Sequence, residues 1–114
     1  MKIKKPLHIY DEVFKHNYYV SYGVPKDYFL EQIQKYCPEM YEGKGMTLYA
    51  GRCMTVKKLT WVWTLKKRID ILAHELVHAI THALYTKMPL RFETEETYAY
   101  LLEMLMRKIL ERSK

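Results

Sequence analysis

The chain has 114 residues, of which 49% are hydrophobic and 28% charged, and its net charge is +6. That length supports one domain around a modest core. No apolar run approaches membrane-spanning length, which excludes a helical span, and scarce Gly and Pro exclude long disordered linkers.

The N-terminus, Met1-Lys2-Ile3-Lys4-Lys5-Pro6, is basic, but no apolar h-region follows it. No secretory signal is therefore read, and the expected location is the cytoplasm. Cys37 and Cys53 are then expected to be free thiols. Ile3, Leu7 and Ile9 alternate loosely with polar residues, which suits a short strand or an extended arm. The tyrosine-rich segment Asn17–Tyr22 reads as loop or strand. Val24-Pro25-Lys26-Asp27 begins a helix, and Tyr28, Phe29, Ile33 and Tyr36 follow at helical spacing. Cys37-Pro38 ends it, because a residue before proline avoids the helical region. A helix is expected from about Lys26 to Tyr36.

Gly43-Lys44-Gly45 marks a turn. Met46–Ala50, a Gly51-Arg52 turn and a strand over Thr55–Leu65 follow. The strand is rich in β-branched and aromatic residues, with Trp61 and Trp63 on one face. These segments predict a small, mainly antiparallel sheet. Ile69–Leu84 contains no Gly or Pro, and its apolar residues cover most of a helical circumference. Met88-Pro89 breaks the chain. Thr94 is a candidate N-cap for a last helix from Glu95 to about Glu111, with Tyr98, Leu101, Leu102, Leu105, Met106, Ile109 and Leu110 apolar. The whole reads as an α+β domain of residues 1–114.

The central helix carries His74-Glu75-Leu76-Val77-His78, an H-E-x-x-H pattern. Residues i and i+4 share one helix face, so both imidazoles can address one point, as a tetrahedral zinc ion requires. Glu75 lies about 100° round the helix, off the metal but within reach of a water bound to it. Such a site needs a third protein ligand. His82 lies about 12 Å along the axis from His74, at about 1.5 Å per residue, too far for one ion. Glu93, Glu95 and Glu96 remain. A helix dipole favours acids in its first turn in any case, and periodicity alone prefers Glu95, in line with Tyr98, Leu102 and Leu105.

H-E-x-x-H, a break and then a glutamate opening a second helix resembles the gluzincin metallopeptidases. Their glutamate helix reads Glu-small-x-small-x. Glu96-Thr97-Tyr98-Ala99-Tyr100 fits that register better than Glu95 does, so the resemblance implies Glu96 as third ligand, with Glu95 as substitute. Together with the Trp61–Trp63 strand, these motifs look like small stand-alone H-E-x-x-H proteins of bacteriophage and mobile-element genomes, and more distantly like the peptidase domain of ImmA/IrrE-type proteins. The likeness covers about Leu59 to Leu105. It implies a zincin-like fold in which the sheet packs on the H-E-x-x-H helix and the C-terminal glutamate helix, and a zinc cofactor, with no particular substrate.

The expectation is a zinc peptidase acting on a peptide or protein, with Glu75 as general base. An upstream strand, Thr55–Leu65 or Met46–Ala50, would pair with an extended substrate. Tyr100, Tyr98, His82 and Tyr85 are candidate oxyanion donors, and Asp70 is a candidate partner for a ligand imidazole. A second reading keeps the zinc without catalysis, as an accessory protein that binds a host protein or nucleic acid. A third is a metal-free packing module. The basic clusters Lys2/Lys4/Lys5, Lys57/Lys58 and Lys66/Lys67/Arg68 suit acidic partners, but no nucleic-acid motif accompanies them, and they read as solvated lysines.

Overall fold

The computed structural model describes residues 2–113. It is an α+β fold built from strands β1 (Leu7–Asp11), β2 (His16–Tyr22), β3 (Gly51–Val56) and β4 (Leu59–Thr64) and helices α1 (Lys26–Tyr36), α2 (Ile69–Leu84) and α3 (Glu95–Arg112). A short 3-10 turn, Pro38–Met40, follows α1. The helices fall where periodicity and the proline breaks put them.

The sheet order is β1-β2-β4-β3. β1 pairs with β2 and β3 with β4 in antiparallel fashion, whereas β2 and β4 run parallel, so the sheet is mixed. The crossover between the parallel strands carries α1 and β3. The parallel pair lies at the centre because β4 buries both faces: Trp61, Val62 and Trp63 are each 0% exposed. Parallel strands occur where both faces are covered.

The expected strand assignments change in this region. Thr55–Leu65 is not one strand; a two-residue turn at Lys57-Lys58 divides it between β3 and β4, with Val56 opposite Leu59. Lys57 takes the left-handed conformation, φ 53°. Gly51 and Arg52 begin β3 instead of forming a turn, and Met46–Ala50 contributes no strand. Thr94 sits at the N-cap of α3 but makes no capping bond. Its hydroxyl instead donates to the Pro89 carbonyl, 2.6 Å, and accepts from the Arg91 amide, 2.9 Å.

Two cores flank the sheet. On one face α1 sends Phe29 and Ile33 onto Trp61, Trp63 and Met54. Phe29 stacks on Trp63 with centroids 5.1 Å apart and meets Trp61 edge-on at 5.6 Å. On the other face Leu72, Leu76, Ala79 and Ile80 of α2 and Tyr98, Leu101, Leu105 and Ile109 of α3 cover Ile9, Tyr18, Val20 and Val62. α2 lies over β3 and β4, and α3 packs on α2 and β1. The Lys67 ammonium donates to the Ser113 carbonyl, 3.1 Å, so α3 ends where α2 begins. The head of α3 therefore lies toward the C-terminal end of α2. Cys37 and Cys53 are free thiols. No helix among the described residues is long and apolar enough to cross a membrane.

Candidate metal centre

The apolar faces of α2 are taken up by the core and by α3, which turns His74 and His78 outward. Their Nε2 atoms stand 3.3 Å apart, with ring planes at 78°. Two nitrogens bound at about 2.0–2.1 Å to one tetrahedral zinc lie about 3.3–3.4 Å from each other. The pair therefore fits two corners of such an ion. The third corner is different. Among the described residues no group of three His, Cys, Asp or Glu side chains gathers here. Glu93, Glu95 and Glu96 are all exposed. Tyr98, Ala99 and Leu102 line a groove against Val77 and Thr81 of α2. Glu95 lies one turn before Tyr98 and Ala99 on that stripe, and Glu96 is offset from it by about 100°.

Glu75, about 100° round the helix from His74, turns toward β3 and is only 8% exposed. It packs on Gly51, where a Cβ would lie 3.0 Å from Glu75 Cγ, 3.1 Å from its Oε2 and 3.1 Å from Ile71 Cγ2. A glycine here lets β3 approach this closely without displacing those side chains. A cleft of about 380 Å³, lined by Tyr49, Ala50, Gly51, Asp70, Ile71, His74 and Glu75, opens beside it. The edge of β3 forms its wall. The Leu65 amide donates to the Ala50 carbonyl, 2.9 Å. The alternating antiparallel ladder then aims the amides and carbonyls of Gly51, Cys53 and Thr55 away from β4. The free edge, Gly51–Val56, lies between the two segments the sequence offers for pairing, Met46–Ala50 and Thr55–Leu65, and overlaps the second only at Thr55 and Val56.

His82, one turn beyond His78, has its ring 6.3 Å from that of His78. Its Nδ1 lies 3.4 Å from Thr55 Oγ1 and 3.8 Å from Cys53 Sγ. Thr55 hydrogen-bonds Thr60, 2.9 Å, and Thr60 hydrogen-bonds His16 Nε2, 2.7 Å. A polar chain thus runs beneath α2 from the exposed His82 to His16, which is 3% exposed. Burial, helped by Lys87 and opposed by Asp11, lowers the His16 pKa below its usual value, so the ring stays neutral. Burial and the Glu75 carboxylate push the Cys53 thiol up to about 12. Without a bound cation beside it, such a thiol stays protonated and is a poor nucleophile near neutral pH.

The remaining candidates separate by their contacts. Tyr98 donates its hydroxyl to the Met88 carbonyl, 2.6 Å, which occupies it structurally. Tyr85 is exposed at the C-terminal end of α2, and Tyr100 faces Val13 and Phe14 of the β1–β2 hairpin. His82 is the candidate whose ring faces His78. Asp70 pairs with Arg68 at the surface, 2.6 Å, and makes no bond to His74 or His78. No family model, curated protein or solved structure matches the chain.

Proposed function

We propose that the chain is a zinc-dependent peptidase of the gluzincin type, with zinc held by His74, His78 and a glutamate from the first turn of α3. The observation that carries this reading is the 3.3 Å approach of the two imidazole Nε2 atoms beside a shielded glutamate. Zinc, when bound, supplies an acidified water and polarises a carbonyl. Glu75 would serve as the general base, holding a proton drawn from water and returning it to the leaving amine. Its packing on Gly51 limits its rotamers, so it is held ready for that task. The outward-facing groups of Gly51, Cys53 and Thr55 would bind an extended peptide by strand addition. His82 is the favoured donor to the developing oxyanion, and the Thr55 hydroxyl restrains its ring. Glu96 is the third ligand in the register of the resemblance, and Glu95 is the substitute on the stripe that faces α2.

The exposure of both glutamates favours a second reading, a zinc-holding accessory protein without catalysis that binds a host protein or nucleic acid. Glu75→Gln separates the two. A peptidase loses cleavage of an unstructured protein substrate by about a hundredfold or more, the usual share of a general base, while zinc content and melting temperature hold. An accessory protein shows no cleavage to lose, and its partner binding is indifferent to the substitution.

A further inference from the structure

Two basic clusters that lie far apart in the sequence meet at one cavity. Lys4 and Lys5 of the N-terminal arm, Lys67 before α2 and Arg112 at the end of α3 line a hollow of about 500 Å³, with Tyr28 and Gln32 of α1 at its side. The cavity shares no lining residue with the His74–Glu75 cleft. Among the described residues, no carboxylate lines it. The salt bridges among the described residues, Arg52–Glu42 and Arg68–Asp70, leave all four cations without an anionic partner.

The frame around these charges is held in place. Gln32 Nε2 donates to the Lys4 carbonyl, 3.1 Å, and the Lys4 amide donates to the Tyr28 hydroxyl oxygen, 2.8 Å. Ser21 and Gln32, 2% and 3% exposed, close the floor and bond each other at 2.8 Å. Arg112 is fastened by one guanidinium nitrogen to the His8 carbonyl, 3.2 Å. Gly23, at φ 73°, leaves room for the stem of Lys67, whose Cγ would collide with a Cβ there. Each head group keeps donors in reserve, since an ammonium has three and a guanidinium five.

Four like charges around one hollow repel each other, and a bound anion relieves that repulsion. The volume lies in the range of small-molecule sites, and the charges surround a concavity instead of following a ridge. We propose that this cavity is a binding site for a compact polyphosphate, either free or as part of a nucleotide. Lysine and arginine heads around a neutral polar floor select multiply charged phosphate over apolar ligands.

The test is calorimetric titration of the full chain at about 0.15 M salt, in buffer free of divalent cations. The probes are sodium tripolyphosphate, ATP and a short single-stranded DNA oligonucleotide. The expected result is saturable binding of tripolyphosphate and ATP, weakened at least tenfold by Lys5→Glu and by Lys67→Glu and unchanged by Lys58→Glu at the distant β3–β4 turn. ATP binding tighter than tripolyphosphate assigns the site to a nucleotide; equal binding assigns it to the phosphate chain alone. Lys5→Gln and Lys67→Gln, which keep side-chain length, must weaken binding in the same direction, and their melting curves show that the fold is intact. Absence of binding by both polyphosphates, equal loss in Lys58→Glu, or binding of the oligonucleotide alone overturns the proposal.

Discussion

The two faces of the sheet are built on different principles. On the α1 face the buried polar groups serve the packing: Trp61 donates to Ser21, Ser21 donates to Gln32, and Trp63 donates to the Val24 carbonyl at 2.7 Å. On the other face the same strands bury His16, Thr60 and Asp11 beneath α2 and α3, and Tyr18 Oη and Asp11 Oδ2 have no hydrogen-bond partner among the described residues. Unpartnered buried polar atoms cost stability. Both faces carry a packed core, and the face under α2 and α3 holds these polar groups in addition.

That contrast breaks most visibly on the α1 face. Trp61→Ala removes one of the two largest fully buried side chains and both of its aromatic contacts. Urea unfolding should show a loss of about 3–5 kcal/mol, with zinc affinity unchanged at temperatures where the variant is folded. A smaller loss would mean that the α1 face packs around Trp61 less tightly than its full burial implies.

Gly51→Ala probes the junction of β3 with the chemistry. The added methyl meets Glu75 and Ile71 at 3.0–3.1 Å and should cost about 1–3 kcal/mol, as overpacking does. It should also lower peptide cleavage by displacing the Glu75 carboxylate. Full cleavage activity in this variant would separate the position of Glu75 from the reaction.

The buried His16 sharpens the comparison through pH. Its pKa is lowered from 6.5 by burial, Lys87 adding to the effect and Asp11 opposing it. The unfolded chain takes up a proton near pH 6.5 that the folded chain resists, so the stability tied to neutral His16 is complete above that pH and is lost as pH falls below it. Melting temperatures between pH 7.5 and 5 should decline less steeply in His16→Gln than in the parent chain. Parallel declines would remove His16 from the account.

The smallest effect lies at the β3–β4 turn. Lys57 holds φ 53°, which costs a residue with a Cβ about 1–2 kcal/mol. Lys57→Gly relieves that and gives back about 0.4–1 kcal/mol through a freer unfolded chain. A net gain of about 0.5 kcal/mol in chemical denaturation is expected, with neither core affected.

That same lysine shows where the sequence was opaque. Helices α1, α2 and α3 were legible almost to the residue, because Pro25, Cys37-Pro38 and Met88-Pro89 punctuate strong helical periodicity. The β3–β4 hairpin was not, since its turn uses Lys57 where glycine or asparagine would have announced it. Gly51 misled in the opposite sense: it reads as a turn residue, yet it lies in a strand to make room for Glu75. Half of the candidate site was legible, since the helix period alone turns His74 and His78 to one side. The rest depends on pairings between distant segments. Thr55 meets Thr60 through the β3–β4 register, and Thr60 reaches His16 through the parallel β2–β4 pair. Local patterning holds no trace of either pairing.

The central claim is that one zinc ion bridges the imidazoles of His74 and His78 with the help of a glutamate from the head of α3. The most direct test is the zinc content of the protein after loading and exhaustive dialysis, measured by elemental analysis beside His78→Ala, Glu96→Ala and Glu95→Ala. The account predicts one zinc per chain in the parent, none in His78→Ala, and a marked loss in one of the two glutamate variants. A parent chain that retains no zinc, or a His78→Ala variant that retains it fully, would contradict it.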